Sequence, residues 1–180
     1  MILKRSFYVR PTLEVARDLL GKILVRKTGR KEIRAVITET EAYVSEDDLA
    51  SHASKGRTPR TEPMYGEAGH AYIYMIYGMY HCFNIVTEKK DFPAAVLIRA
   101  VKIEGLEYEK TNGPGKLCRF LEIDRSLNGH DATQGKKLWI EPAAEAVAGR
   151  KILAGKRIGI DYAKHCKDYL WRFRIDPDGK

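Results

Sequence analysis

Apolar residues at Leu13, Val15, Ala16, Leu19 and Leu20 recur at helical spacing behind Pro11-Thr12 and stop at Gly21. This predicts a two-turn amphipathic helix with one face turned to a core. From Lys22 the period changes. Lys22 to Thr28 and Glu32 to Tyr43 are β-branched runs on either side of Gly29-Arg30-Lys31, the pattern of a hairpin. Ser45-Glu46-Asp47-Asp48 offers a capping box and an acidic first turn for a short helix through about Ala53. Residues 55–69, with their Gly, Pro and charge, read as loop. Ala71 to Tyr77 and Tyr80 to Thr87 flank Gly78-Met79 and predict a second hairpin, and Ala94 to Ile103 a buried strand. Asn112-Gly113-Pro114-Gly115 opens a helix with Leu117, Cys118, Phe120 and Leu121 on one face. Lys137 to Ile140 and Arg157 to Ile160 complete about seven strands and three helices, an α+β class with a mainly antiparallel sheet.

A chain of 180 residues can bury one sizeable core. No repeat, low-complexity tract or linker divides it, so a single domain over residues 1–180 is expected. The longest apolar stretch, Ala71 to Tyr80, is interrupted by Gly78, whereas a membrane span needs about 20 apolar residues. Met1 to Ser6 lacks the apolar region of a secretion signal, so the expected location is the cytoplasm. Cys82, Cys118 and Cys166 form no C-x-x-C pair, and read as three reduced, packed thiols rather than a disulfide framework or zinc site.

Net charge is +8, and from Arg150 to Arg174 eight basic residues face only Asp161 and Asp168. A polyanion fits that bias through counterion release; so do a solvated face and an anionic small substrate. Against this background Glu39, Glu41, Glu46, Asp47 and Asp48 fall within ten residues that hold no base. Strand alternation puts Glu39, Glu41 and Tyr43 on one face, a carboxylate beside a ring. That suits a general base in an aromatic site, and equally an ion-paired strand end. Tyr72, Tyr74, Tyr77 and Tyr80 crowd the second hairpin. They pack a core, or present a ring at the tip that wedges between base pairs and rings behind it that stack a base. Arg99 interrupts an apolar run and needs an acidic partner, Glu41 or Glu39. Gly113-Pro114-Gly115-Lys116 lacks phosphate-loop spacing for a nucleoside triphosphate, although Lys116 at a helix start can hold one phosphate.

Several stretches together resemble the alkyladenine (3-methyladenine, methylpurine) DNA glycosylases, from about Leu19 to Phe173. They are Thr38-Glu39-Thr40-Glu41-Ala42-Tyr43, His52, Arg57-Thr58-Pro59-Arg60, Tyr72 to Tyr80 with Asn84, Val96-Leu97-Ile98-Arg99-Ala100, and Gly113 to Cys118. The resemblance implies a curved antiparallel sheet flanked by helices, with a DNA-inserting hairpin. It implies a monomeric enzyme on double-stranded DNA containing damaged purines, without metal or other cofactor. By position, Glu41 matches the general base and Arg99 a second holder of its water. Tyr43 matches one face of a base sandwich, with His52 and Tyr74 on the other. Tyr77 matches the intercalating residue, Asn84 the side chain that crowds the purine 2-amino position, and Arg57 and Lys116 phosphate contacts.

Overall fold

Alternation along the chain builds the sheet directly. In the computed structural model, which describes residues 1–142 and 151–176, β1 (Ile23–Thr28) and β2 (Lys31–Val44) pair antiparallel. Gly29 at their turn has φ +58 and open space around it, so it serves the backbone rather than packing. β3 (Ala71–Ile76), β4 (Tyr80–Val86) and β5 (Ala94–Lys102) follow, then β6 (Leu138–Glu141), β7 (Leu153–Gly155) and β8 (Arg172–Arg174). The strand order is β3-β4-β5-β2-β1-β6, with β8 joining β2 and β7 joining β8. Every pairing among the described residues is antiparallel.

β2 is long enough to serve two neighbours on one side: β1 along its first half, and β8 at Glu39–Glu41. β5 covers its other side from Val36 onward. One face of the sheet carries the core, in which Leu24, Ile37, Phe83, Ile85, Val96, Ile98 and Phe173 meet Val15, Leu19, Leu117 and Leu121 from the helices. The α-helices among the described residues are α1 (Arg5–Tyr8), α2 (Thr12–Asp18) and α3 (Pro114–Phe120). Pro114 at the first turn of α3 has no N–H to leave unpaired. Arg26 closes its other end by donating to the Leu121 and Glu122 carbonyls at 3.1 and 3.0 Å.

Two expectations are corrected. Residues 45–51 form turns, and only a 3₁₀ turn at His52–Lys55 follows. The cause is Asp48, whose carboxylate accepts from the Val44 and Ala50 N–H groups and pairs with Arg157. These bonds compete with the helix that the capping pattern suggests. Residues 157–160 form no strand. Arg157 turns inward to Asp48, the Ile158 N–H goes to a side chain, and Gly159 stands at φ +75. The strands near that end are β7 and β8 instead. In the basic run, Arg150 lies outside the described residues. Of the rest, Arg157 is buried, and Lys156 and Arg172 pair with Asp168 and Glu39. All three cysteines are buried free thiols.

Candidate active site

A paired register irregularity in β2 and β5 sets the geometry. Ile37 stands opposite Val101, Glu39 opposite Ala100 and Thr40 opposite Ile98. Thr38 and Arg99 are thus both unmatched, as in a bulge on each strand. Thr40 remains on the core side and donates to the Ala16 carbonyl at 2.8 Å, while Thr38 meets the Tyr108 hydroxyl. Glu39, Glu41 and Arg99 meet on the other face, which places one guanidinium against two carboxylates.

Glu41 has no exposed surface. Its Oε1 accepts the Ile158 N–H at 2.9 Å, its Oε2 accepts the Tyr43 hydroxyl at 2.8 Å, and Arg99 Nε lies 3.5 Å from Oε1. Tyr43, Arg99 and Ile158 all line a cavity of about 210 Å³, so Glu41 sits directly behind its wall. A carboxylate has about four acceptor sites, and these three groups leave room for one more donor. Burial raises the Glu41 pKa against the opposing pull of Arg99, the Ile158 N–H and the Tyr43 hydroxyl; Glu39 adds to the rise. A base stronger than an exposed glutamate is the result.

His52, Tyr72, Tyr74 and Asn84 line the same cavity. His52 packs edge-on against Tyr74, ring centres 4.5 Å apart, and its Nδ1 is 2.9 Å from the Tyr72 hydroxyl. Burial first, then Arg60 and Lys55, lowers the His52 pKa to about 4. The ring is therefore neutral at pH 7 and adds π-density to that wall without a charge of its own. Tyr43 carries the Arg157 guanidinium 4.8 Å from its ring centre. The Asn84 amide is pinned by donating to the Tyr72 and Cys82 carbonyls at 3.0 and 3.4 Å.

Tyr77 stands at the rim, 85 % exposed. The Ile76 carbonyl accepts from the Met79 N–H, with Tyr77 at φ 51 and Gly78 at φ 69 between them, a type I′ turn. A bulky residue in the left-handed region is costly, and a ring this exposed gains little from burial to offset the cost. Lys116 is exposed at the start of α3, its Nζ 2.9 Å from Asn112 Oδ1.

Arg57 is not brought to the cavity. Its Nε and terminal nitrogens bond Glu62 and Asp91, and it covers the Tyr65 ring. The exposed Arg60 is the nearer cation, 5.7 Å from the Tyr74 ring centre. Sequence reasoning also passed over Ile158 and Arg157. A main-chain donor has no side-chain signature, but Arg157, a cation within an otherwise apolar predicted strand, could have been asked for its partner as Arg99 was.

A buried carboxylate behind an aromatic cavity, with an exposed ring at its mouth, is an arrangement suited to holding a flat ring beside a group able to act as a base. The methylpurine-DNA glycosylase family matches residues 6–178, and the chain belongs to that family. Relatives bearing the name "Putative 3-methyladenine DNA glycosylase" include one from Methanocella arvoryzae, 51% identical over 96% of this chain and 91% of its own length. Others are from Desulfitobacterium hafniense, 47% identical over 97% and 95%, and Clostridium perfringens, 44% identical over 97% and 96%.

Proposed function

We propose that this protein flips alkylated or deaminated purines out of duplex DNA and hydrolyses the N-glycosidic bond, leaving an abasic site. The observation that carries the reading is the Glu41 carboxylate, fully buried, whose partners Tyr43, Ile158 and Arg99 all line the aromatic cavity. A protein that merely bound flipped bases would have no use for so costly a group.

In this reading the purine lies between Tyr43 and the pair His52 and Tyr74, whose π-faces favour a cationic ring. Asn84 crowds a purine 2-amino group, and Tyr77 fills the gap left in the duplex. A water takes the free acceptor site of Glu41 beside Arg99. Its oxygen bonds to C1′ as the C1′–N bond breaks, the bonding pair leaves with the purine, and Glu41 accepts the water proton. A purine alkylated at N3 or N7 is cationic before cleavage and departs neutral, so it needs no acid; a deaminated purine departs as its anion and takes up a proton from solvent. With no lysine nucleophile in the motif, the reaction is a one-step hydrolysis without strand cleavage. Lys116 contacts a phosphate, and Arg57 does so by exchanging a carboxylate for it. The enzyme acts as a monomer.

The test is single-turnover excision on duplexes bearing one hypoxanthine or one alkylated purine, wild type beside Glu41→Gln, with alkali to reveal abasic sites. Wild type should generate them, and the variant should be slower by roughly 10²–10⁴-fold. Tight lesion-specific binding by wild type with no release of any base would instead identify a non-catalytic damage reader.

A further inference from the structure

Glu39 has no part in the mechanism above, although it stands two residues before Glu41 on the same face. Arg99 Nε is 3.3 Å from Glu39 Oε1 and 3.5 Å from Glu41 Oε1, so a single N–H group is shared between two carboxylates. Glu39 is also bonded by Arg172 from β8 at 3.0 Å, and Arg172 is fixed in turn by donating to the Lys156 carbonyl at 2.7 Å. The result is a row of alternating charge, Arg172, Glu39, Arg99, Glu41. Side-chain exposure along it is 22%, 16%, 14% and 0%. The unmatched position of Arg99 in β5 permits this row, since regular pairing would set a residue of β2 opposite it.

We infer that Glu39 is a positioning residue which divides the Arg99 cation and thereby keeps Glu41 a stronger base than an undivided Glu41–Arg99 pair would be. This rests on the reading of Glu41 as the general base. An arginine committed to one buried carboxylate holds it ionised and blunts its basicity; a second carboxylate on the same guanidinium withdraws part of that field. Glu41 is faced by Glu39 and Tyr43 from β2, Arg99 from β5, Tyr74 and Cys82 from the β3–β4 hairpin, and Arg157 with the Ile158 N–H from the following loop. Glu39 is the member of that set that adds negative charge.

The experiment is the pH dependence of single-turnover excision of 7-methylguanine, whose fixed charge removes any limb due to protonation of the leaving base. In Glu39→Gln, Arg99 is left wholly to Glu41, and the acid limb moves down by on the order of one pH unit while the plateau rate falls several-fold. In Arg172→Gln, Glu39 leans harder on Arg99 and a positive charge is lost, so the limb moves up. Glu39→Asp keeps the charge and restores the limb toward wild type. A structural role alone would lower rates without moving the limb, and shifts of one sign in both variants, or none, overturn the inference. If Glu39→Gln does not fold, the upward shift in Arg172→Gln decides it alone. A limb that persists in Glu41→Gln overturns the base assignment itself, a result separate from an unmoved limb that vanishes with Glu41.

Discussion

Burial holds the Glu41 carboxyl above its ordinary pKa, so the folded protein prefers the protonated form more than the unfolded chain does. The sign follows: Glu41 costs nothing below its unfolded pKa, and stability is lost as pH rises through the folded value. Glutamine mimics the protonated acid at every pH. Glu41→Gln should therefore melt at or above wild type at pH 7, with the gap closing toward pH 4.5 in thermal scans, even as excision collapses. A lower melting temperature at pH 7 would make Glu41 a structural ion-pair partner instead. Tyr77 offers the same contrast from the surface. Tyr77→Asn places a residue that tolerates the left-handed region in the type I′ turn, and should raise stability by roughly 1 kcal/mol. Lesion excision should fall because nothing fills the duplex gap; unchanged excision would remove Tyr77 from the mechanism.

Among the elements, the hairpin tip and α3 form one unit. A Cβ added at Gly115 would lie 2.9 Å from the Tyr80 ring and 3.1 Å from Tyr80 Cβ, close to the strand itself. Gly115→Ala gains about 1 kcal/mol of helix propensity, but overpacking of about 1–3 kcal/mol outweighs it. The variant should unfold at lower urea and bind lesion duplex less tightly, because Tyr80 moves with the turn that carries Tyr77. β1 to β6 were legible because alternation and turn residues are local signals, each contained within a dozen positions. The helix expected after Ser45 was not, because Asp48 is claimed by Arg157, 109 positions away. No window around Ser45 contains that arginine.

For the molecule as a whole, Arg157 closes the fold over the site. Its guanidinium is buried, bonds both oxygens of Asp48 at 2.5 and 2.7 Å and the carbonyls of Ala42 and Cys166, and lies between the Tyr43 and Trp171 rings. Arg157→Met leaves Asp48 charged and unpaired in the interior, at a cost of about 3–5 kcal/mol. Adding Asp48→Asn should return part of it; a urea midpoint unchanged in Arg157→Met would show that the pair holds nothing. The net charge of +8 acts at the same scale. DNA affinity should fall steeply with salt, and Lys116→Gln should lower the log–log slope by about 0.9, the value of one phosphate contact. Arg57→Gln should lower it less, since Glu62 and Asp91 already compete for that guanidinium.

The sequence by itself determined the α+β class, the two hairpins, the shared face of Glu39, Glu41 and Tyr43, and, through several motifs taken together, the family. Each depends on neighbours a few residues apart or on patterns within one element. Only the tertiary structure decided that Glu41 lies fully behind the cavity wall and that the Ile158 N–H, 117 positions on, supplies one of its bonds. It also decided that Arg57 is engaged elsewhere and that Arg99 serves two carboxylates. Those facts follow from which distant segments the core brings together and from an irregular register between β2 and β5. Neither leaves a mark on local hydrophobic periodicity.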